Sequence, residues 1–498
     1  MLAAIVSLTN RQRYLLLLFA VVIYQVANFA NLRLHSQRVI SMPAETSQKG
    51  SSPQQQHHEL DMIIVQSTGN LMDRVTAFNA FLLSYRDVQL KEQGSSAWNT
   101  PTSRPLTVVS GRGGVYLQLL SNYSKVTTVV LPWLTNSPGS MHQNNFNVLI
   151  KTFYEWTADD ALCSLIEVFG MNTAADFNRS CNRNINNSVR PSSLQLSSAN
   201  MNYVFHMHIH RDAIVTDQGT VITDGLKLVL YGCGHNSKPS VTSHLDTFPL
   251  YNEVYVVSQG IWGYGIFHRM VEIVPRVALL VNFLNSNPEI RILVPEIGGR
   301  LAQLLRIIGL DKPRLVTGVT RAKIVYQPRA TPCGHANIQE TQILSQLYRD
   351  YIKHNFPFQP RNRLILIRRS RRRKFSKQQS IETLLQRVAK DFNLTYTLYI
   401  DNPTPSLNET MMMFHSAVII VAPHGAGLSN MLFSQPGTYV VEGVCDQPKV
   451  NLCYLRLAYV LGHHWHGVMS QDGCPRIVNV SPLRINDAVR EYLRLWSS

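Results

Sequence analysis

A wholly apolar run, Ala417 to Ala422 (AVIIVA), passes straight into Pro423, His424, Gly425, Ala426 and Gly427 and then into a second apolar stretch. The order strand, glycine-containing turn, helix start at about Leu428 to Phe433 is the unit of an α/β sheet. Glycines at such a junction let the backbone come close to a ligand, and the first amides of the helix point outward as an anion site. No Lys-Ser or Lys-Thr follows, so this is not a Walker A loop, and the spacing is not GxGxxG. Taken alone, such a turn serves as often for chain reversal as for ligand binding.

The rest of the chain after residue 61 repeats the same alternation. Short β-branched runs (LTVVS at Leu106, KVTTVVL at Lys125, KLVLYG at Lys227, EVYVVSQ at Glu253, RILVP at Arg291, LILIRR at Leu364) alternate with helical patterns such as GIFHRMVEIVPRVALLVNFL, RLAQLLRIIGL and IQETQILSQLYRDYIKHNF. Later come KQQSIETLLQRVAKDF, LTYTLYI and TYVVEGV. The fold class is α/β with parallel sheets, in two lobes, 62–330 and 331–498, divided at the breaker-rich loop YQPRATPCGH. With 498 residues, 45% apolar and 16% charged, the composition supports large buried cores and excludes disordered and collagen-like classes.

Ahead of these lobes the chain has a different character. Arg11 and Arg13 precede an apolar run from Tyr14 to Leu32, about 19 residues and long enough to span a bilayer. Segment 1–13 is then a cytoplasmic tail, 14–32 a signal anchor of a type II membrane protein, and 33–61, rich in Ser, Gln, His and Pro, a flexible stem. A cleaved signal peptide is the rival reading, and both deliver the body to the secretory pathway. Six sequons, at Asn122, Asn178, Asn186, Asn393, Asn408 and Asn479, give weak support. The seven cysteines form no CxxC pair, so zinc ribbon and thioredoxin motifs are absent. In a lumenal chain, Cys163 with Cys181 and one pair among Cys445, Cys453 and Cys474 are expected as disulfides.

The formal charge is +16, which points to an anionic ligand, nucleic acid or an acidic surface. The anchor makes nucleic acid an unsuitable partner. Directly after the strand LILI comes the run Arg368, Arg369, Ser370, Arg371, Arg372, Arg373, Lys374. Its guanidinium groups repel one another unless anions lie between them, and a diphosphate suits their bidentate geometry. A solvated basic face or a nuclear import signal are the bland readings; the strand-end position disfavours the first and the anchor the second. Glu442 closes the strand TYVVE, where a carboxylate can accept hydrogen bonds from ribose hydroxyls. His268 and Glu272 are four apart on a helical pattern and share a face. His206, His208 and His210 alternate along a strand with Asp212 next, where a metal site is the sharp reading and a polar strand face the commoner one. No DxD occurs, so no metal-bridged diphosphate of the common type is expected.

In their order and spacing, GIFHRMVEIVPRVALL, LRIIGLDKPRL, the Cys333 loop, LILIRRSRRRKF and PHGAGLSNMLFSQPGTYVVEG resemble glycosyltransferase family 61, which includes xylosyl-, arabinosyl- and GlcNAc-transferases. The resemblance covers about Tyr255 to Trp465. It implies a GT-B-like arrangement of two Rossmann-like lobes, a UDP-sugar donor held by the second lobe, inversion at the anomeric carbon, and a glycan or glycoprotein acceptor. The family's Arg-x-x-x-Arg motif falls on Arg369 and Arg373, with Arg368 and Arg372 as the alternative register. Arg369, Arg373 and the backbone of His424, Gly425, Ala426 and Gly427 would then neutralise the diphosphate, and Glu442 would hold ribose. His268 is the candidate general base, with Glu272 as its orienter or as the base itself. Fixed positive charge would replace a metal, so no cofactor is expected. The expected location is the Golgi or ER membrane with the catalytic part lumenal. A tethered carbohydrate-binding pseudo-transferase and a metal-dependent hydrolase using the three histidines are the alternatives.

Overall fold

The β-branched runs fold as strands of two sheets in a computed structural model that describes residues 62–64, 71–92, 106–109, 126–132, 204–223, 226–229, 247–331, 333–445, 451–470 and 476–497. The apolar run 14–32, the stem, and Cys163, Cys181 and Cys474 lie outside these residues. No helix among the described residues is long and apolar enough to cross a membrane.

The first sheet is mixed and has ten strands: β1 (Met62–Ile64), β2 (Leu106–Val109), β3 (Val126–Pro132), β4 (Val204–Val215), β5 (Val221–Thr223), β6 (Leu226–Val229), β7 (Leu250–Val256), β8 (Arg291–Leu293), β9 (Leu315–Val316) and β10 (Thr320–Pro328). Strands β10, β7, β8 and β9 are neighbours in that order and run parallel. The chain therefore leaves β7 in one direction for β8 and β9, then returns to its other side for β10. That reversal makes the C-terminal ends of β7 and β10 a topological switch point.

Between these strands lie α1 (Leu71–Glu92), α2 (Pro275–Ala278), α3 (Val281–Ser286) and α4 (Gly299–Ile307). The pattern from Gly265 to Leu284, expected as one helix, is instead a π-helical turn, His268–Ile273, followed by α2 and α3. Pro275 carries no amide hydrogen and opens α2 at its first position, which accounts for the break. Helix α1 is tied to the sheet by Arg86, which donates to both carboxylate oxygens of Glu253 at 2.9 and 2.7 Å.

From residue 338 the chain gives α5 (Ile338–Asn355), β11 (Arg363–Arg368), β12 (Lys374–Phe375), α6 (Gln378–Asp391), β13 (Thr395–Ile400), α7 (Leu407–His415), β14 (Ala417–Pro423), β15 (Tyr439–Val444), α8 (Cys453–Val460), β16 (His464–Met469), β17 (Ile477–Val478) and α9 (Pro482–Ser497). Five of these strands form an all-parallel sheet in the order β13-β11-β14-β15-β16, the doubly wound order with its switch point between β11 and β14. Strand β11 shows why its sequence is apolar throughout. Leu364 and Leu366 face α6 and α9, while Ile365 and Ile367 join the cluster containing α5, α7 and α8. A strand covered on both faces reads as a continuous hydrophobic run.

The described residues from Met62 onward form one compact unit, and a single apolar cluster runs from Phe78 through Tyr255 and Leu344 to Leu432 and Leu457. The junction at 330/331 falls in the connection between β10 and α5.

At the switch point of the first sheet sits Arg276, 1% exposed. Its Nη1 donates to the carbonyls of Val257 and Ser258 at 2.6 and 2.8 Å, its Nη2 to Pro328 at 2.7 Å and its Nε to Arg329 at 3.1 Å. Burial pulls its pKa down to about 10, yet it stays charged at neutral pH. Tyr255 donates to the Arg276 carbonyl at 2.6 Å. We expect Arg276→Met to lower unfolding free energy by about 3 kcal/mol or more, because four buried carbonyls lose a charged donor. Arg276→Lys, lacking the planar fork, is expected to recover only part of this; urea unfolding midpoints measure both.

Candidate active site

The second sheet's switch point is lined by the residues that directly follow β11 and β14. Arg369 Nη1 donates to the carbonyl of His424 at 2.9 Å, so one guanidinium bridges the two strand ends. A methyl group at Gly425 would overlap the Arg369 guanidinium, so any side chain there would have to displace it. The turn leads into a 3₁₀ helix, Ala426–Phe433, rather than an α-helix.

The register of the arginine run follows from its partners. Arg368 is spent on Glu382 of α6, with Nε and Nη2 2.9 and 2.5 Å from one carboxylate oxygen. Arg369 turns the other way, into the crevice, with Asp401 at 3.8 Å. Arg373 has φ 57°, a left-handed conformation rare for a non-glycine residue, and its amide donates to Arg476 at 2.6 Å. That reversal brings Arg373 back toward Arg369. Burial, and then the charge of Arg373, hold the Arg369 pKa below its usual value. Two half-buried like charges converging on a crevice are the electrostatic complement of an anion. Arg368, the first member of the alternative register, is thus held by a carboxylate.

His424 and Glu442 are drawn together. His424 Nδ1 lies 2.6 Å from Glu442 Oε1, and Trp465 Nε1 donates to Oε2 at 2.8 Å. Glu442 is fully buried, at 0% exposure, with both oxygens engaged inside the protein. The expectation that it holds ribose is corrected: it stands behind His424 and fixes that ring. Tyr454 of α8 packs edge-on against His424 at 5.1 Å and against Phe267 at 5.4 Å, joining the turn to the segment that carries His268.

His268 and Glu272 lie on the π-helical turn at the C-terminal end of β7. His268 Nδ1 is 2.9 Å from Glu272 Oε2, and the Gly334 amide donates to Oε1 at 2.8 Å. Glu272 is buried and His268 about a quarter exposed, at 3% and 23% of their side chains. Glu272 is thus held inside the protein, while the His268 ring remains partly exposed. Burial raises the Glu272 pKa, with His268 opposing. Arg456 of α8, its pKa lowered by burial to about 10, meets His335 Nε2 at 2.9 Å. Cys453 beside it is a buried free thiol, so it is not the partner in the expected C-terminal disulfide; Cys333 and Cys445 are half-cystines.

The histidine strand is β4. His210 is fully buried, its Nε2 2.9 Å from Gln327 Oε1, and burial lowers its pKa to about 4. The His206 side chain lies outside the described set. Among the described residues no cluster of three or more His, Cys, Asp or Glu could hold a metal ion. Sequence reading did not single out Tyr454, Trp465, Gly334 or Arg456. Each acts through position in the fold, and none sits in a motif of its own.

Glu272→Gln tests the dyad. Glutamine would keep the Gly334 bond but present an N–H to His268 Nδ1, forcing the hydrogen onto Nε2, which then lacks the lone pair a base needs. Because the folded-state pKa is raised, the wild-type fold is penalised for ionising Glu272 as pH rises. Relative to wild type, the melting temperature of the variant should therefore increase from acid to neutral pH. Turnover should fall by about 10² or more. Thermal scans across pH and initial rates check the two halves.

No curated protein matches the chain. Residues 266–441 match the family model described as Glycosyltransferase 61, a span that holds His268, Glu272, Arg369, Arg373 and His424 to Gly427. That match supports the resemblance to glycosyltransferase family 61 carried by the motifs.

Proposed function

We propose that the protein is an inverting transferase that moves a sugar (xylose, arabinose or GlcNAc) from a UDP donor to a hydroxyl of a glycan or glycoprotein. In this reading its two sheet-bearing halves act as GT-B lobes. The observation that carries the reading is the convergence of Arg369 and Arg373 on the His424–Gly427 turn at the switch point of a parallel sheet. α/β sheets bind ligands at such points, and a diphosphate is the anion that fits two converging arginines.

The acceptor hydroxyl attacks the anomeric carbon from the face opposite the diphosphate. His268 Nε2 takes the hydroxyl proton as the new C–O bond forms. The bond between the anomeric carbon and the phosphate oxygen breaks, and its electron pair leaves with UDP. Arg369, Arg373 and the amides of the turn receive that growing charge. His424, fixed through Glu442 and Trp465, holds the turn in shape. No metal is needed for this charge balance. The run 14–32 would anchor the enzyme in the Golgi or ER membrane with the site lumenal.

Calorimetric titration with UDP tests the donor site. Saturable binding is expected in the wild type, weakened about ten- to a hundredfold in Arg373→Ala, from the loss of one charged hydrogen-bonding group. Arg368→Ala, whose side chain belongs to Glu382, should bind UDP as well as the wild type. Absence of UDP binding would overturn the reading. UDP binding with no release of UDP from any UDP-sugar in the presence of acceptor would make the protein a binding module.

A further inference from the structure

The donor site uses only part of the basic run. Arg368 is neutralised by Glu382, and Arg369 and Arg373 line the crevice. Arg371, Arg372, Lys374 and Lys377 remain, and all four are exposed. They lie on a strap that leaves β11, passes through β12 and ends at the start of α6. Strand β12 pairs in parallel with β17, with Lys374 opposite Ile477, and the Arg373 amide bonds to Arg476. A fifth exposed cation, Arg476, thereby joins the same strap. None of the five has an acidic partner among the described residues.

The end of the strap adds to this charge. Helix α6, 14 residues long, has Lys377 at its N-cap position, no side-chain cap and no acidic residue in its first turn. Proteins usually place Ser, Asp or Glu there, because a helix N-terminus carries partial positive charge. Here a lysine is set against the dipole. Phe375, 2% exposed, faces inward and anchors the strap, so its neighbours Lys374 and Ser376 are held outward.

Each phosphate of a sugar nucleotide carries one negative charge, and Arg369 with Arg373 matches those two. The strap's five cations have no counterpart on the donor. We propose that the strap Arg371–Lys377 with Arg476 is a binding surface for an anionic glycan, so that the acceptor chain carries acidic groups beside the hydroxyl that is glycosylated. This rests on the transferase reading for the acceptor's identity as a glycan. The shared chemistry is a repeating anion, either carboxylate or sulfate. A glycan is favoured over a lipid surface because Arg371 and Arg372 sit between the two crevice arginines. A flat bilayer pressed on them would cover the mouth through which the donor enters.

The test compares the full-length wild type with the triple variant Arg371→Gln/Arg372→Gln/Lys374→Gln. These positions are exposed, and none is assigned to the donor site. The probes are oligogalacturonate, a chondroitin sulfate oligosaccharide, a neutral xylo-oligosaccharide, a polyglutamate peptide and phosphatidylserine vesicles, with UDP titrated in parallel. The expected result is saturable, salt-weakened binding of one charged oligosaccharide, about tenfold weaker in the variant, with UDP affinity unchanged. Preference for oligogalacturonate identifies carboxylate as the anion, and preference for chondroitin sulfate identifies sulfate. Equal binding of the neutral oligosaccharide, an unaltered variant, or tighter binding of polyglutamate or vesicles than of either charged glycan would each overturn the proposal. If UDP binds while no charged glycan does, this inference fails alone. If a charged glycan binds through the strap and UDP does not, the donor assignment fails and the surface stands.

Discussion

The fold around the site depends on the burial of one guanidinium. Arg276 gathers four carbonyls where β7 and β10 end, at Val257, Ser258, Pro328 and Arg329. An α/β sheet opens a crevice where its strand order reverses. Here the chain fills its own crevice with a charged, five-donor side chain. Since Arg276 follows the π-helical turn within three residues of Ile273, the same bonds that close the sheet also hold His268 and Glu272 over its edge. The Arg329–Glu340 pair, 2.7 Å in each of two bonds, continues this buried polar layer into α5.

The two sheets thus treat equivalent positions in opposite ways. In the first, the switch point is plugged by a residue of the protein and is chemically complete. In the second, the equivalent crevice is walled by Arg369, Arg373 and the turn after β14, whose charges repel one another and are only partly offset by Asp401. The dyad lies beside the first switch point, and the proposed anion site at the second. Tyr454, Phe267 and the Gly334 amide tie the two together, so the groups proposed to move a proton and to receive a leaving group share one framework.

Much of this was legible in the sequence because it depended on local pattern. The continuous apolar runs AVIIVA and LILI gave buried parallel strands, since both faces of each strand are covered. His268 and Glu272 met at helical spacing, although the backbone between them is a π turn and the long helix expected there is broken at Pro275. Glu442 was misread for a physical reason: at a strand end it looks like a surface carboxylate, and only the tertiary approach of Trp465 and His424 closes it off. The same holds for Arg276, one arginine among many in sequence, whose four carbonyl partners come from two strands brought side by side by the sheet. The register of the arginine run is open in the sequence, because Glu382, which holds Arg368, lies a helical segment away.

Arg369 and Gly425 fit each other so closely that neither can be considered a separate choice. The guanidinium occupies the volume that a larger residue at 425 would need, and its bond to the His424 carbonyl holds it there. Substitution at either site alone meets a steric or a bonding penalty, whereas a shorter side chain at 369 releases the restriction at 425. Over evolutionary time the two positions should change as a pair, and lineages that have given up the arginine are where a side chain should reappear in the turn.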